Sequence, residues 1–381
     1  MRNKKFACGS WFVCSSALIG FFLVNLGFSV AAEKTNVSAA DVKSVSTLHD
    51  YVFSANQAAH DMSVYRIDAA TGALKELNGS PYKTGKFPVS VTVSPNGKFV
   101  YVANQGSNTV SGFRLNKRTG KLTPIEGSPF PAGEYPDAVI ISQDNRFAYV
   151  TNEDDNSVAS FTIDNQSGSL EPTGSTVATG HHPISITIAP NGNFAFVSNF
   201  DDATISTYRI DKANGTLQPT GAQAKTDEHP IYVSISPDSR FAYVANYGST
   251  TVSAFAIDSK SGTLRELTGS PFSAGAQPYS VTVDPTMHFV YVANWGSHDV
   301  SAYRIDSKTG ALNPVKGSPY AADWYPYAVV VDAESRFAYV ANNGAGTISA
   351  YRIDNSTGAL VEQNNSPFRS DDGPYSMAIG Y

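Results

Sequence analysis

Phe289-Val290-Tyr291-Val292-Ala293-Asn294 decides the fold, because the chain keeps rewriting it. The phrase returns as Phe99–Asn104, Phe147–Asn152, Phe194–Asn199, Phe241–Asn246 and Phe337–Asn342, with a weaker first copy at Tyr51–Asn56. Its closing asparagines, Asn56, Asn104, Asn152, Asn199, Asn246, Asn294 and Asn342, stand 48, 48, 47, 47, 48 and 48 residues apart. A fixed period of this length marks a solenoid, a propeller or an array. What one unit contains chooses among them.

Upstream of the quoted phrase, Pro278-Tyr279-Ser280-Val281-Thr282-Val283 alternates apolar and small residues, and Asp284-Pro285-Thr286 makes a turn. Downstream, Val300–Ile305 alternates again, and Lys308-Thr309-Gly310 turns the chain into Leu312–Gly317. Period-2 alternation bounded by Gly, Pro, Asn and Asp reads as strand, and no stretch holds a helical spacing. Four antiparallel strands per unit, seven times over, predict an all-β, seven-bladed β-propeller spanning residues 50–381. WD40 and kelch signatures are absent.

First strands start at Pro88, Pro136, Pro183, Pro230, Pro278, Pro326 and Pro374. The unit at Tyr51 lacks such a strand, and Pro374–Tyr381 has no strands after it. The C-terminal strand is therefore expected to complete the N-terminal blade, a closure that removes open sheet edges.

Residues 1–32 are written differently. Arg2, Lys4 and Lys5 precede an apolar run from Phe6 to Val30, and Val30-Ala31-Ala32 supplies small residues before Glu33. That pattern predicts a secretory signal and an exported protein, periplasmic or extracellular, with an uncleaved anchor as the alternative. Residues 33–49 are polar and read as a flexible lead-in. Both cysteines, Cys8 and Cys14, lie in the signal, so the cleaved chain would hold no thiol nucleophile or disulfide and no membrane span. A net charge of −6 argues against nucleic acid as a partner.

In an antiparallel blade the first strand begins on the face where the second ends. Loops before the repeat prolines and loops after the repeat asparagines should thus share one rim. That rim collects the unusual residues, including Trp295, Trp324, Tyr247, Tyr279 and Tyr327, the pair His181-His182, and His229. Aromatics with a few polar groups at a concave channel mouth are the default binding site. Trp295, Trp324, Tyr279, Tyr327 and Tyr247 are the candidate stacking surface, and the same rings could instead pack blade on blade. The asparagines are read as turn caps, a position where Asn tolerates left-handed backbone. Asp154, Asp155, Asp201 and Asp202 supply oxygen ligands of the kind calcium takes, although no spacing among them matches a known loop and no cofactor is required. Adjacent His181 and His182 in an extended loop point apart, which disfavours zinc. Nucleophile-elbow, metalloprotease and phosphate-loop motifs are absent.

The repeat resembles a known family. Gly-Ser-Pro-Phe (Gly269–Phe272), the strand-opening proline, Ser-Pro-Asn-Gly (Ser94–Gly97), Phe-Val-Tyr-Val-Ala-Asn and Ile-Asp-x-x-Thr-Gly-x-Leu (Ile305–Leu312) are similar to the seven-bladed lactonase-type propellers. That family includes bacterial 6-phosphogluconolactonases and muconate lactonising enzymes. Tyr149-Val150-Thr151-Asn152 also spells the signature of the related YVTN repeats. The resemblance implies Arg and His just after first-strand prolines and a Glu after a second-strand asparagine. Here Val89, Asp137, Ile184, Ile231, Tyr279, Tyr327 and Tyr375 follow the prolines, and none is Arg; none of the next residues is His. Only Glu153, after Asn152, matches, with His182 or His229 from neighbouring blades as further candidates for the base. The expectation is therefore a propeller that binds a sugar- or lactone-like small molecule, or a protein partner, at its acidic and aromatic rim. The alternative is a lactone hydrolase with a rearranged site.

Overall fold

A computed structural model describes residues 50–380 of the chain. The expected signal (1–32) and lead-in (33–49) lie outside the described residues. The seven blades are built from the strands the repeat announces. Blades 2 to 7 begin with inner strands Pro88–Val93, Pro136–Ile141, Pro183–Ile188, Pro230–Ile235, Pro278–Val283 and Pro326–Val331. Each is followed outward by the Phe-to-Asn strand, a third strand and an outer strand. Blade 1 carries Tyr51–Asn56, Asp61–Ile67 and a short outer strand, and takes Pro374–Gly380 as its inner strand. That strand runs antiparallel to Tyr51–Asn56 in a register from Tyr51↔Gly380 to Asn56↔Pro374, so the ring closes as expected.

The fourth strand departs from the reading. In blade 6 it stops at Pro314 and resumes at Tyr320–Ala321, because Gly317-Ser318-Pro319 interrupts it. The Ser318 hydroxyl accepts the Ala302 N–H at 2.9 Å that the broken strand leaves open. Blades 3 and 4, whose outer strands lack that Ser-Pro, run unbroken over Leu170–Ala178 and Leu217–Lys225.

The repeat asparagines also depart from it. They are not turn caps: Asn104 has extended backbone (φ −111°), and all seven are buried. Their Nδ2 groups donate sideways into the third strand, as from Asn104 to Ser111 Oγ and from Asn294 to Ser301 Oγ, both 2.9 Å. The side chain fastens a sheet corner.

Apolar faces of neighbouring blades meet in continuous cores, such as Phe99 and Tyr101 of blade 2 against Ala148, Val150 and Phe161 of blade 3. On the rim opposite the repeat prolines, blades are locked pairwise. Buried tyrosines reach carbonyls of the next blade's hairpin, Tyr243 Oη to Gly310 O at 2.8 Å and Tyr339 Oη to Gly72 O at 2.9 Å. Arginines lie over the phenylalanines, with Arg240 at 4.9 Å from the Phe241 ring and Arg336 at 5.4 Å from the Phe337 ring. Their guanidinium groups donate to the same neighbouring hairpins, Ser307 O and Ala69 O.

Candidate functional site: the channel mouth

Three seven-membered rings of positions build the mouth: the residue before each repeat proline, the residue after it, and the residue after each repeat asparagine. The first ring is Phe87, Tyr135, His182, His229, Gln277, Tyr325 and Gly373, and all seven have left-handed backbone, φ from 49° to 73°. Bulky side chains there are strained, and the restriction on residues preceding proline adds to it. The strain is held in place from both sides. Each carbonyl of the ring accepts the N–H of the post-asparagine residue in its own blade, from Gln57 to Gly373 at 2.8 Å through Phe200 to His182 at 3.0 Å. Several N–H groups donate to a side chain of the preceding blade: Phe87 to His60 Nδ1, Tyr135 to Asn108, His182 to Asn156 and Tyr325 to His298 Nδ1. The two loop sets are thereby bonded into one rim, as the sequence reading requires. Strain of this kind collects at functional sites.

The post-asparagine ring splits into two arcs. Blades 4, 5 and 6 present Phe200, Tyr247 and Trp295; blades 7, 1, 2 and 3 present Asn343, Gln57, Gln105 and Glu153. The aromatic arc is continuous. Phe200 stacks on His229 (4.4 Å, 10°) and Trp295 on Tyr325 (4.6 Å, 20°), while Tyr247 meets Trp295 edge-on at 6.0 Å and Tyr279 at 5.8 Å. Tyr279, Tyr327 and Tyr375, from blades 6, 7 and 1, cluster beneath it with centroids 4.3 to 5.8 Å apart. The hydroxyls of Tyr279 and Tyr375 are hydrogen-bonded to each other, and Trp295 is hydrogen-bonded to Tyr327. Burial raises all three phenols. They are neutral hydrogen-bonding groups at physiological pH.

Facing the tyrosines is a carboxyl pair. Asp137, the post-proline residue of blade 3, is 6% exposed and hydrogen-bonded to Glu153, the post-asparagine residue of the same blade. Two carboxyl groups bond in this way only if one proton lies between them. Burial first, and then the bond to and charge of Glu153, push the Asp137 carboxyl well above the ordinary range. The Gln105 amide nitrogen of blade 2 bridges the pair, 3.4 Å from Asp137 Oδ2 and 3.3 Å from Glu153 Oε2. The channel below encloses about 600 Å³ of space, part of it open solvent, and Asp137 is the one charged residue on its wall among the described residues.

A family model described as "Lactonase, 7-bladed beta-propeller" matches residues 28–135, 127–233 and 226–325. The chain belongs to that lactonase family. No curated protein matches it. Among solved structures, a proposed 6-phosphogluconolactonase from Bacteroides fragilis superposes with a TM-score of 0.78 at 19% identity, over 89% of this chain and 99% of that one. The periplasmic gluconolactonase of Pseudomonas aeruginosa follows with 0.73 at 20% identity, covering 87% and 99%. The fold also reaches beyond lactonases: hydrazine synthase of Kuenenia stuttgartiensis gives 0.58 at 21% identity, covering 76% and 88%. At such identities the likeness speaks to the fold.

Within this lactonase-family rim the sequence candidates separate. Tyr279, Tyr327, Tyr247 and Trp295 come together at the mouth; Trp324, 63% exposed, flanks it, stacked on His298 at 5.7 Å. Glu153 sits in the carboxyl pair. The two histidines are engaged elsewhere: His182 Nδ1 pairs with Asp201 at 2.8 Å, and His229 lies flat on Phe200. Neither is hydrogen-bonded to Glu153. Asp202 takes both the backbone N–H and the ring of His181, each at 2.8 Å, which raises the His181 pKa and lowers that of Asp202. Asp155 accepts the Glu134 N–H at 2.8 Å, and Asp154 is exposed. Among the described residues no group of three or more His, Cys, Asp or Glu is placed to hold a metal. The sequence reading names Asp137 and Tyr375 after the prolines without giving either a role, and does not single out Gln105. The signal for Asp137 was available, since it is the only charged residue among the fourteen positions that directly follow the prolines.

Proposed function

We propose that the channel mouth binds a small hydroxyl-bearing ring, sugar- or lactone-like, and that the protein acts outside the cytoplasm. One observation carries the reading: an aromatic arc faces a polar arc across a single opening, with Asp137–Glu153–Gln105 on one side and Trp295, Tyr279 and Tyr327 on the other. Rings of alternating CH and OH character need that combination, an apolar face to stack on and paired donors and acceptors for the hydroxyls. The test is a panel of neutral monosaccharides and aldonolactones, read by tryptophan fluorescence and melting temperature. At least one should raise the melting point, and Trp295→Ala should weaken its binding about tenfold or more. A panel without any shift would remove this reading. The charged-then-apolar N-terminus and the periplasmic member among the similar folds support export. N-terminal sequencing of the native protein should begin near Ala32 or Glu33.

A second reading, lactone hydrolysis, is favoured by the carboxyl pair. A Glu153 carboxylate can take the proton of an attacking water, and the tyrosine hydroxyls across the mouth can donate to the carbonyl oxygen as negative charge develops there. Neutral donors would do the work for which the family resemblance implies arginine. Glu153→Gln nearly keeps the shape and removes the base. Turnover in the wild type that is lost in this variant selects hydrolysis; binding without turnover in either selects the binding module.

A further inference from the structure

The mouth carries an electrostatic signature that the shared fold does not specify. Asp137 is hydrogen-bonded to Glu153, both bond the Gln105 amide, and among the described residues no lysine or arginine side chain pairs with either. The ion pairs on this rim lie outside the pair: Lys83 with Asp61 at 3.4 Å, His181 with Asp202 and His182 with Asp201. The titratable groups beside Asp137 are the phenols of Tyr135, Tyr279 and Tyr375, all neutral. Among the described residues, no lysine or arginine is thus paired with the two carboxyls to receive a phosphate or carboxylate there.

We infer that the mouth selects by charge: it takes uncharged, hydroxyl-bearing rings, rejects anionic ones including phosphorylated sugars, and owes this selectivity to the acidic Asp137–Glu153 pair. The inference rests on the binding reading above and narrows its ligand class. The proton between the carboxyls is already donated within the pair, so the pair turns acceptor oxygens to the ligand, and a hydroxyl can answer them with its O–H. A phosphoryl oxygen offers only acceptors and brings like charge. At roughly 5 Å and an intermediate effective dielectric, that repulsion weakens binding on the order of a hundredfold.

The test compares freshly dissolved D-glucono-1,5-lactone with its 6-phosphate in rapid-mixing fluorescence titrations, with choline as a cationic control. Wild-type protein should prefer the neutral lactone by at least about tenfold over both the phosphate ester and choline. The double variant Asp137→Asn/Glu153→Gln, which is uncharged, should bring the lactone and its phosphate within about threefold. Melting curves establish that each variant is folded. Equal or tighter binding of the phosphate ester by wild type, tighter binding of choline, or an unchanged ratio in the double variant would overturn the inference while leaving a small-molecule site intact. Silence from all three compounds, and from the wider neutral panel, would instead remove the binding reading itself.

Discussion

The two rims of this propeller are made from the same repeat, yet one copies it faithfully and the other breaks it. On the rim away from the repeat prolines, the Asp-x-x-Thr/Ser-Gly hairpin recurs almost unchanged, and an arginine over a phenylalanine joins neighbouring blades in six places. At the mouth the backbone pattern is repeated in every blade, with the same left-handed residue and the same carbonyl bond. The side chains there are not: Phe, Tyr, His, His, Gln, Tyr and Gly occupy one ring of positions. Blade-to-blade packing is the same task seven times, so one solution serves everywhere. A ligand is met once, from a different direction by each blade, so seven different residues are useful. In a repeat protein, deviation from the repeat within an invariant backbone is the sign of a site.

If that division is right, damage to the repeated parts should cost stability, and damage to the variable parts should cost binding. The largest effect is expected from deleting Pro374–Tyr381. The deletion strips the inner strand from blade 1, uncovers Tyr51–Asn56 and opens the ring. Net stability of a folded domain is only roughly 5–15 kcal/mol, so losing a closing strand should leave no cooperatively folded monomer. Size-exclusion chromatography and thermal melting check this; a monomer with unchanged melting would mean that the ring does not depend on its closure.

Next in size is a single methyl group on the structural rim. Gly310 has φ of 77°, accepts the Tyr243 hydroxyl on its carbonyl, and lies against Phe241 so closely that a Cβ would overlap the ring. Gly310→Ala adds the left-handed penalty to an overpacked contact between blades 5 and 6, about 2–4 kcal/mol in all. Urea denaturation measures it. A loss below about 1 kcal/mol would show that the hairpin lock is looser than its geometry.

Much of this division was legible before any coordinates. The period fixed the number of blades, and the position of the prolines and asparagines along the strands sorted the loops into two rims. What escaped depended on contacts between residues distant in sequence. Asp137 was visible as a lone charge after a proline, but its partnership with Glu153 requires the two strands to be paired. The asparagines looked like caps because they end strands; only the third strand beside them, with Ser63, Ser111 and their counterparts, explains why they are buried. His182 looked like an available base because Asp201 stands 19 residues away and meets it only through the fold. The left-handed backbone of bulky pre-proline residues runs against local preference, so no local reading would find it.

A smaller effect follows from the carboxyl pair. Burial and Glu153 raise the Asp137 pKa above its ordinary 3.8, so the folded chain holds a proton that the unfolded chain releases. Stability contributed through this group is then greatest at low pH and falls as pH rises from the unfolded toward the folded value. Asp137→Asn should remove that fall, leaving stability near pH 5 little changed and raising it at pH 8 on the order of 1 kcal/mol. Parallel pH profiles of melting for the two proteins would place the shared proton elsewhere.

The smallest expected change in stability comes from Trp324→Ala, and it defines where the mouth ends. Trp324 is 63% exposed and touches the rim mainly through His298, whereas Trp295 is bonded to Tyr327 and stacked on Tyr325. An exposed ring with one flat contact contributes little to folding, so stability should stay within about 0.5 kcal/mol. Its effect on binding is the informative quantity. If the aromatic arc stops at Tyr325, Trp324→Ala should alter affinity for a neutral ring by less than about threefold, while Trp295→Ala loses tenfold or more. Equal losses in the two variants would extend the binding surface outward over blade 7 and enlarge the ligand it fits, from one ring to two or three joined rings. Comparing a monosaccharide with a disaccharide on the same two variants decides between those sizes, because only a ligand long enough to reach Trp324 can register its absence.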